Sequence, residues 1–253
     1  MRITVLGGSG AWPVAGGACG GYLVRWADYR LLIDPGFGSL GHLLGHTRAE
    51  DVDAVLVSHG HPDHCADINP LLRARTLSTS PPDRLTVAAP HGALDAILAL
   101  DEPGFLDDSH RLAEFTPGDA FRLGPFQIQS VALPHSVDNA GFRISAGGRH
   151  LAYTGDRGPD PRMVDLASGA DVLLAEATFP EEVPARHRGN LSSARDAAVE
   201  ATSAGVGHLV LTHLWPGTAH RRAYEAAVPY FRGPISVAQP TMELDLGSAD
   251  HAS

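Results

Sequence analysis

The chain has 253 residues, 43% of them apolar and 19% charged, with a formal net charge of −10. That length and composition suit one large or two small globular domains with a substantial core, and the acidic balance excludes the basic footprint of a bulk nucleic-acid binder. All 19 basic residues are arginine, which excludes Schiff-base lysine chemistry and the phosphate-holding lysine of a P-loop.

The opening MRITVLG reads as a strand, not as the basic leader and apolar core of a signal peptide. No apolar run approaches the roughly 18 residues that a membrane span needs. Two cysteines, Cys19 and Cys65, are too few for a disulfide framework and fit a reducing compartment. The expected location is therefore cytoplasmic. No repeat or linker is visible, so one domain is expected over 1–247, with a frayed tail at 248–253.

Short apolar runs bounded by turn residues predict strands at 3–6, 22–26, 31–33 and 54–57. The glycine-rich GGSGAWPVAGGACGG between the first two is a loop without the strand–GxGxxG–helix context of a dinucleotide site. A helical region at 70–77, a strand at 85–89 and a helix at 94–100 come next. A strand-rich stretch runs from 120 to 156, then a strand at 170–174. Asn190-Leu-Ser-Ser is predicted to open a helix that runs to Ala204 and ends at Gly205. A buried strand at 208–212, a helix at 220–230 and a strand at 235–237 complete the series. Two groups of strands with helices between them predict a layered α/β fold.

The strongest local signal is Ser58-His59-Gly60-His61-Pro62-Asp63-His64, directly after a predicted strand. Three imidazoles and a carboxylate within six residues are costly to crowd together unless a cation organises them, and they are the ligand types that zinc prefers. Three further segments place a ligand type at the end of an apolar run: Leu133-Pro134-His135, Leu151-Ala-Tyr-Thr-Gly-Asp156 and Leu209-Val-Leu-Thr-His213. A lone histidine at a strand end is more often structural. Three such endings together with the cluster point to a metal centre.

With its HxHxDH motif, the sequence resembles the metallo-β-lactamase superfamily over nearly its whole length. The resemblance implies a four-layer αββα sandwich and a hydrolase with two divalent metal ions, Zn2+ first, with Mn2+ or Fe2+ admitted by the same donors. It implies that His59, His61 and His135 hold one metal, that Asp63, His64 and His213 hold the other, and that Asp156 bridges them. Asp34, in LLIDPG, matches the family's ligand-orienting aspartate, although a turn residue before Pro35 is an equal reading of the residues alone. Two cations about 3.5–4 Å apart bring a shared water toward neutrality as hydroxide, which attacks phosphorus or a carbonyl carbon. Asp63 is the candidate to take that water's proton.

Departures from the pattern separate the branches. His64 and the absence of a cysteine ligand differ from true zinc β-lactamases, His61 differs from the glutamate of flavodiiron enzymes, and the HTxGH of glyoxalase II and lactonases is absent after His135. HSVDNAGF, YTGD, AEATF and GNLSSARDAA resemble the phosphodiesterase branch, which contains tRNase Z and short bacterial cyclic-nucleotide phosphodiesterases. The 21-residue interval from His135 to Asp156 is too short for a tRNase Z arm, Ala175 replaces the first histidine of its HEAT box, and Asn190 replaces another histidine. The expected reaction is therefore hydrolysis of a phosphodiester, with a cyclic nucleotide as one candidate. A lactone, thioester or ester hydrolase of a biosynthetic pathway is the alternative, and a metal-binding protein without catalysis is a more distant one.

Arg157 follows the bridging aspartate; it is read either as a surface residue or as a bidentate clamp on substrate phosphate. Asn190 is read as a helix cap or as a neutral donor to the scissile group. Glu176 either orients a ligand or reaches solvent. The other histidines are read as structural or surface residues, with His187, in Arg186-His-Arg188, set apart by its position before Asn190. A small-molecule substrate is the expected partner, nucleic acid and membrane are not expected, and a homodimer is a common state for such folds.

Overall fold

The computed structural model describes residues 1–247, so the expected tail at 248–253 lies outside the described residues. The strands run β1 (Arg2–Gly7), β2 (Gly21–Trp26), β3 (Tyr29–Ile33), β4 (Ala54–Leu56), β5 (Leu85–Pro90) and β6 (His110–Phe115). They continue as β7 (Ala120–Leu123), β8 (Phe126–Leu133), β9 (Asn139–Ala146), β10 (Arg149–Tyr153), β11 (Val172–Glu176), β12 (His208–Thr212) and β13 (Ile235–Val237), and β14 (Glu243–Asp245) is the last strand among the described residues. The helices are α1 (Ser39–Leu43), α2 (Pro62–Cys65), α3 (Ile68–Thr76), α4 (Asp95–Leu98), α5 (Pro161–Ala167), α6 (Ala194–Ala204) and α7 (His220–Ala227).

Two seven-stranded sheets form, in the orders β14-β1-β2-β3-β4-β5-β6 and β13-β12-β11-β10-β9-β8-β7. Each is antiparallel on one side and parallel on the other, the change falling at β3 in the first sheet and β10 in the second. The period-2 alternation of strand side chains produces the layers. Leu31 and Ile33 of β3 enter the core between the sheets, while Leu32 faces the first helix layer. Val172 and Leu174 of β11 likewise face inward, while Leu173 and Ala175 meet α5, α6 and α7. The alanines of α6 (Ala194, Ala197, Ala198, Ala201) let that helix lie close against its sheet. Each leucine or isoleucine buried this way contributes roughly 1.5–3 kcal/mol. The result is the αββα sandwich.

The element ends differ from the sequence reading where local hydrogen bonding decides. The helix expected from Asn190 starts at Ala194, because Ser193 is its cap: Ser193 Oγ accepts from Asp196 N and the Asp196 carboxylate accepts from Ser193 N, a capping box. The helix expected at 94–100 is a single turn: Leu94 and Ile97 are buried and Leu98 packs partly buried beside them, while Leu100 is exposed. The strand expected at 170–174 is shifted to Val172–Glu176. The edge strands β6 and β14, both largely polar, and the short α5 carry too little apolar periodicity to be anticipated. No helix among the described residues is long and apolar enough to cross a membrane.

Candidate metal centre

The strand C-termini converge at one end of the sandwich, and the candidate ligands leave from them. Asp34 follows β3, His59 and His61 follow β4, His135 follows β8, Asp156 follows β10 and His213 follows β12. The segment after His61 is a helical turn, α2, with Pro62 at its first position, where a missing N–H costs nothing. That turn places Asp63 and His64 side by side and buried. Asp34 and His213 have positive φ, +43° and +56°. These conformations are unfavourable for side-chain-bearing residues and are typical of sites where position matters more than local comfort. Gly36 is required for a different reason. A Cβ there would lie 1.7 Å from the Asp63 carbonyl oxygen. At Gly10 a Cβ would meet the His213 ring at 2.6 Å.

Among the described residues, donor atoms that all lie within 4.8 Å of one another form a trio, Asp34, His59 and His64, and two sets of four: His59, His61, His135 and Asp156, and Asp63, His64, Asp156 and His213. Asp156 belongs to both. In the first set, His59 Nε2 and His135 Nε2 lie 3.0 and 3.1 Å from His61 Nδ1. The outward nitrogens identify the tautomers. Ser58 Oγ donates to Asp34 Oδ2 and so accepts from His59 Nδ1 at 3.0 Å, while the Asn190 carbonyl accepts from His135 Nδ1 at 2.8 Å. Both Nε2 atoms therefore present lone pairs to His61 Nδ1, which carries at most one hydrogen.

The second set shows the same mismatch more sharply. His64 Nδ1 donates to Asp34 Oδ2 at 2.8 Å, which leaves the Nε2 lone pair 3.2 Å from Asp156 Oδ1 and 3.6 Å from Asp63 Oδ2. Both His64 Nε2 and Asp156 Oδ1 are buried without a hydrogen-bond partner. Thr178 Oγ1 donates to Glu176 Oε1 at 2.6 Å and accepts from His213 Nδ1 at 2.9 Å, so His213 Nε2 turns its lone pair to Asp63 and Asp156, each at 3.1 Å. Lone pairs and carboxylates converging in a buried space need a cation between them. Burial lowers the His64 imidazole, but Asp156 and Asp63 outweigh it and hold it well above its usual range. His59 is held well below by burial and by His64, which outweigh the Asp156 charge. Carboxylates that favour positive charge at His64, beside imidazole and carboxylate atoms orphaned inward, fit divalent cations.

A buried shell of hydrogen bonds orients these ligands. The Asp34 carboxylate accepts from Ser58 N at 2.7 Å, and its Oδ2 from Ser58 Oγ, Tyr153 Oη and His64 Nδ1 at 2.5, 2.6 and 2.8 Å. Of the two readings of Asp34, the geometry selects the orienting one. Glu176 orients as well and does not reach solvent: besides Thr178, its carboxylate accepts from Arg157 N at 2.5 Å and Ser192 N at 3.0 Å. Burial and the Asp156 charge push the Glu176 carboxyl up to about 8. Cys65 donates weakly to the His61 carbonyl, and burial pushes its thiol to about 12, consistent with a packing residue.

Two sequence readings need correction. Arg157 is 0% exposed and turns away from the donor sets. Its guanidinium pairs in a fork with Glu200 in the middle of α6, through Nη1 to Oε1 at 2.8 Å and Nη2 to Oε2. It is neither a surface residue nor a substrate clamp; the carboxylate it grips is the protein's own. Asn190 is exposed and caps no helix, since Ser193 does; it serves the site through its main-chain carbonyl on His135.

The interval from His135 to Asp156 holds only β9, β10 and their connections. The family description "Beta-lactamase superfamily domain" matches residues 29–214. "Probable metallo-hydrolase YhfI" of Bacillus subtilis is 30% identical over 94% of this chain and 97% of its own, and its crystal structure superposes with a TM-score of 0.88 over 96% of this chain and 99% of that one. "Ribonuclease Z" of Mycobacterium bovis is 28% identical over 94% of this chain and 95% of its own. The short form of human tRNase Z, 22% identical, shares the fold with a TM-score of 0.80 over 98% of this chain and 100% of its own. With a buried His/Asp cluster at the strand ends of an αββα sandwich, the chain belongs to the beta-lactamase superfamily and is a metal-dependent hydrolase of the metallo-β-lactamase fold.

Proposed function

We propose that this protein is a dinuclear zinc hydrolase of phosphodiesters. The observation that carries the proposal is the double membership of Asp156: one carboxylate completes two separate donor sets, which suits a bridge between two cations. His59, His61 and His135 then hold one ion and Asp63, His64 and His213 the other. When bound, such a pair supplies Lewis acidity and an activated water. A relative matched over nearly its whole length is a ribonuclease by name, which favours a phosphodiester over a carboxylic ester.

The chain's own residues complete the chemistry. Asp63 Oδ2 is fixed by the Ala11 N–H at 2.7 Å and faces His213 Nε2, which leaves Oδ1 to accept the proton of the attacking water. Asp34 and Glu176 hold the imidazoles in the tautomers that expose their lone pairs. The donor shell is fixed by buried hydrogen bonds before substrate arrives, so little reorganisation accompanies reaction. With Arg157 committed to Glu200, the guanidiniums nearest the His135 anchor in sequence are those of Arg186 and Arg188, both exposed.

A panel of chromogenic phosphodiesters, phosphomonoesters, lactones and β-lactams on the metal-loaded protein tests this directly. Phosphodiesters should show kcat/KM at least ten-fold above every other class. A higher value on a lactone would move the site to the carboxylic-ester reading.

A further inference from the structure

Beside the donor sets stand four aromatic rings that the hydrolytic chemistry does not use. Trp12 and Trp215 meet edge to face with centroids 5.3 Å apart, Trp215 stacks on Phe179 at 5.7 Å, and Phe179 stacks on His187 at 5.8 Å. They come from three loops, Phe179 and His187 both from the connection between β11 and α6, and each loop is fastened to the metal centre. Ala11 N, next to Trp12, donates to Asp63. Thr178, next to Phe179, bonds His213, and Trp215 N donates to the Thr178 carbonyl at 3.0 Å. The Asn190 carbonyl, three residues beyond His187, accepts from His135.

A large aromatic surface is costly to leave wet without a use, yet Trp12 is 49% exposed and its three partners are only partly buried. A cleft opens beside Trp215, between the glycine-rich loop and the Leu214–Thr218 turn. At the rim, Arg186 Nε donates to His187 Nε2 at 2.9 Å, which places a guanidinium beside that ring. An aromatic wall bordered by a guanidinium and adjoining a phosphoryl-transfer site has the chemistry of a nucleotide subsite. Every base offers a π-face to stack, while the cation meets the phosphate.

Building on the phosphodiesterase reading, we infer that the Trp12–Trp215–Phe179–His187 wall seats a nucleobase, so that the substrate is a nucleoside phosphodiester, with Trp12 as the ring that sets specificity. Trp12 touches the base and not the reacting atoms. Its contribution is the same in ground and transition state and should appear in KM.

Two substrates with the same p-nitrophenolate leaving group separate the possibilities: the p-nitrophenyl ester of thymidine 5′-phosphate and methyl p-nitrophenyl phosphate, which has no base. In Trp12→Ala, kcat/KM on the thymidine ester should fall roughly ten-fold through KM, with the methyl ester unchanged, and Trp12→Phe should restore most of the loss. Calorimetric titration of the metal-loaded parent should show AMP binding roughly ten-fold tighter than ribose 5-phosphate, a difference lost in Trp12→Ala. Equal losses on both esters, or no loss on either, overturn the nucleobase wall and leave the phosphodiesterase reading standing. A parent that hydrolyses neither ester removes the phosphodiesterase reading and the wall with it.

Discussion

Arg157→Ala is expected to lower the unfolding free energy by about 3–5 kcal/mol, because it strands the Glu200 carboxylate inside the fold without its partner. The guanidinium is wholly buried, and its two bonds to Glu200 tie the loop carrying Asp156 to the middle of α6. The same loop is held from above by Ser192 Oγ, which donates to the Arg157 carbonyl at 2.7 Å, and by Glu176 on the Arg157 N–H. Arg157→Lys should recover only part of the loss, since an ammonium cannot form two parallel bonds to one carboxylate. Denaturant midpoints of the three proteins read the effect. Activity, measured where the variant remains folded, should fall by the same factor on phosphodiesters and on neutral esters. Unchanged stability with a loss confined to phosphodiesters would instead restore the substrate-clamp role.

Asp156→Ala should abolish hydrolysis and loosen both metal positions, since its carboxylate is common to the two donor sets and neutralises charge between cations that otherwise repel. The effect should exceed the 10–100-fold that loss of an orienting partner typically costs. His213→Ala, by contrast, removes a donor from one set only and should leave the His59, His61 and His135 position occupied. Metal content after dialysis against a weak chelator, measured for both variants beside the parent, distinguishes them. An Asp156→Ala protein that retains as much metal as the parent refutes the bridging assignment.

Much of this site could be read from the sequence because its signal is local. His59, His61, Asp63 and His64 lie within six residues, and His135, Asp156 and His213 each end an apolar run; both patterns are properties of contiguous segments. Strand burial on both faces was equally legible, as at 208–212, where the apolar run matches β12. What escaped depends on chain segments far apart in sequence. The partner of Arg157 lies 43 residues away on a helix whose register is set by the Ser193 cap, so its burial follows from tertiary packing alone. Asn190 matters through a carbonyl, which every residue type possesses. The aromatic wall draws its four rings from three loops, and no single segment shows a periodic or motif signal. Of its four rings only His187 was set apart in the sequence, by its place in the Arg186-His187-Arg188 turn before Asn190.

Metal analysis of the purified, metal-replete protein tests most directly whether the two donor sets are two metal positions. The two donor sets, with Asp156 shared and with His64 Nε2 and Asp156 Oδ1 buried without partners, predict close to two divalent ions per chain. One ion per chain would leave the fold intact but contradict the bridged centre, and a content persistently near zero would contradict the metal-dependent reading altogether.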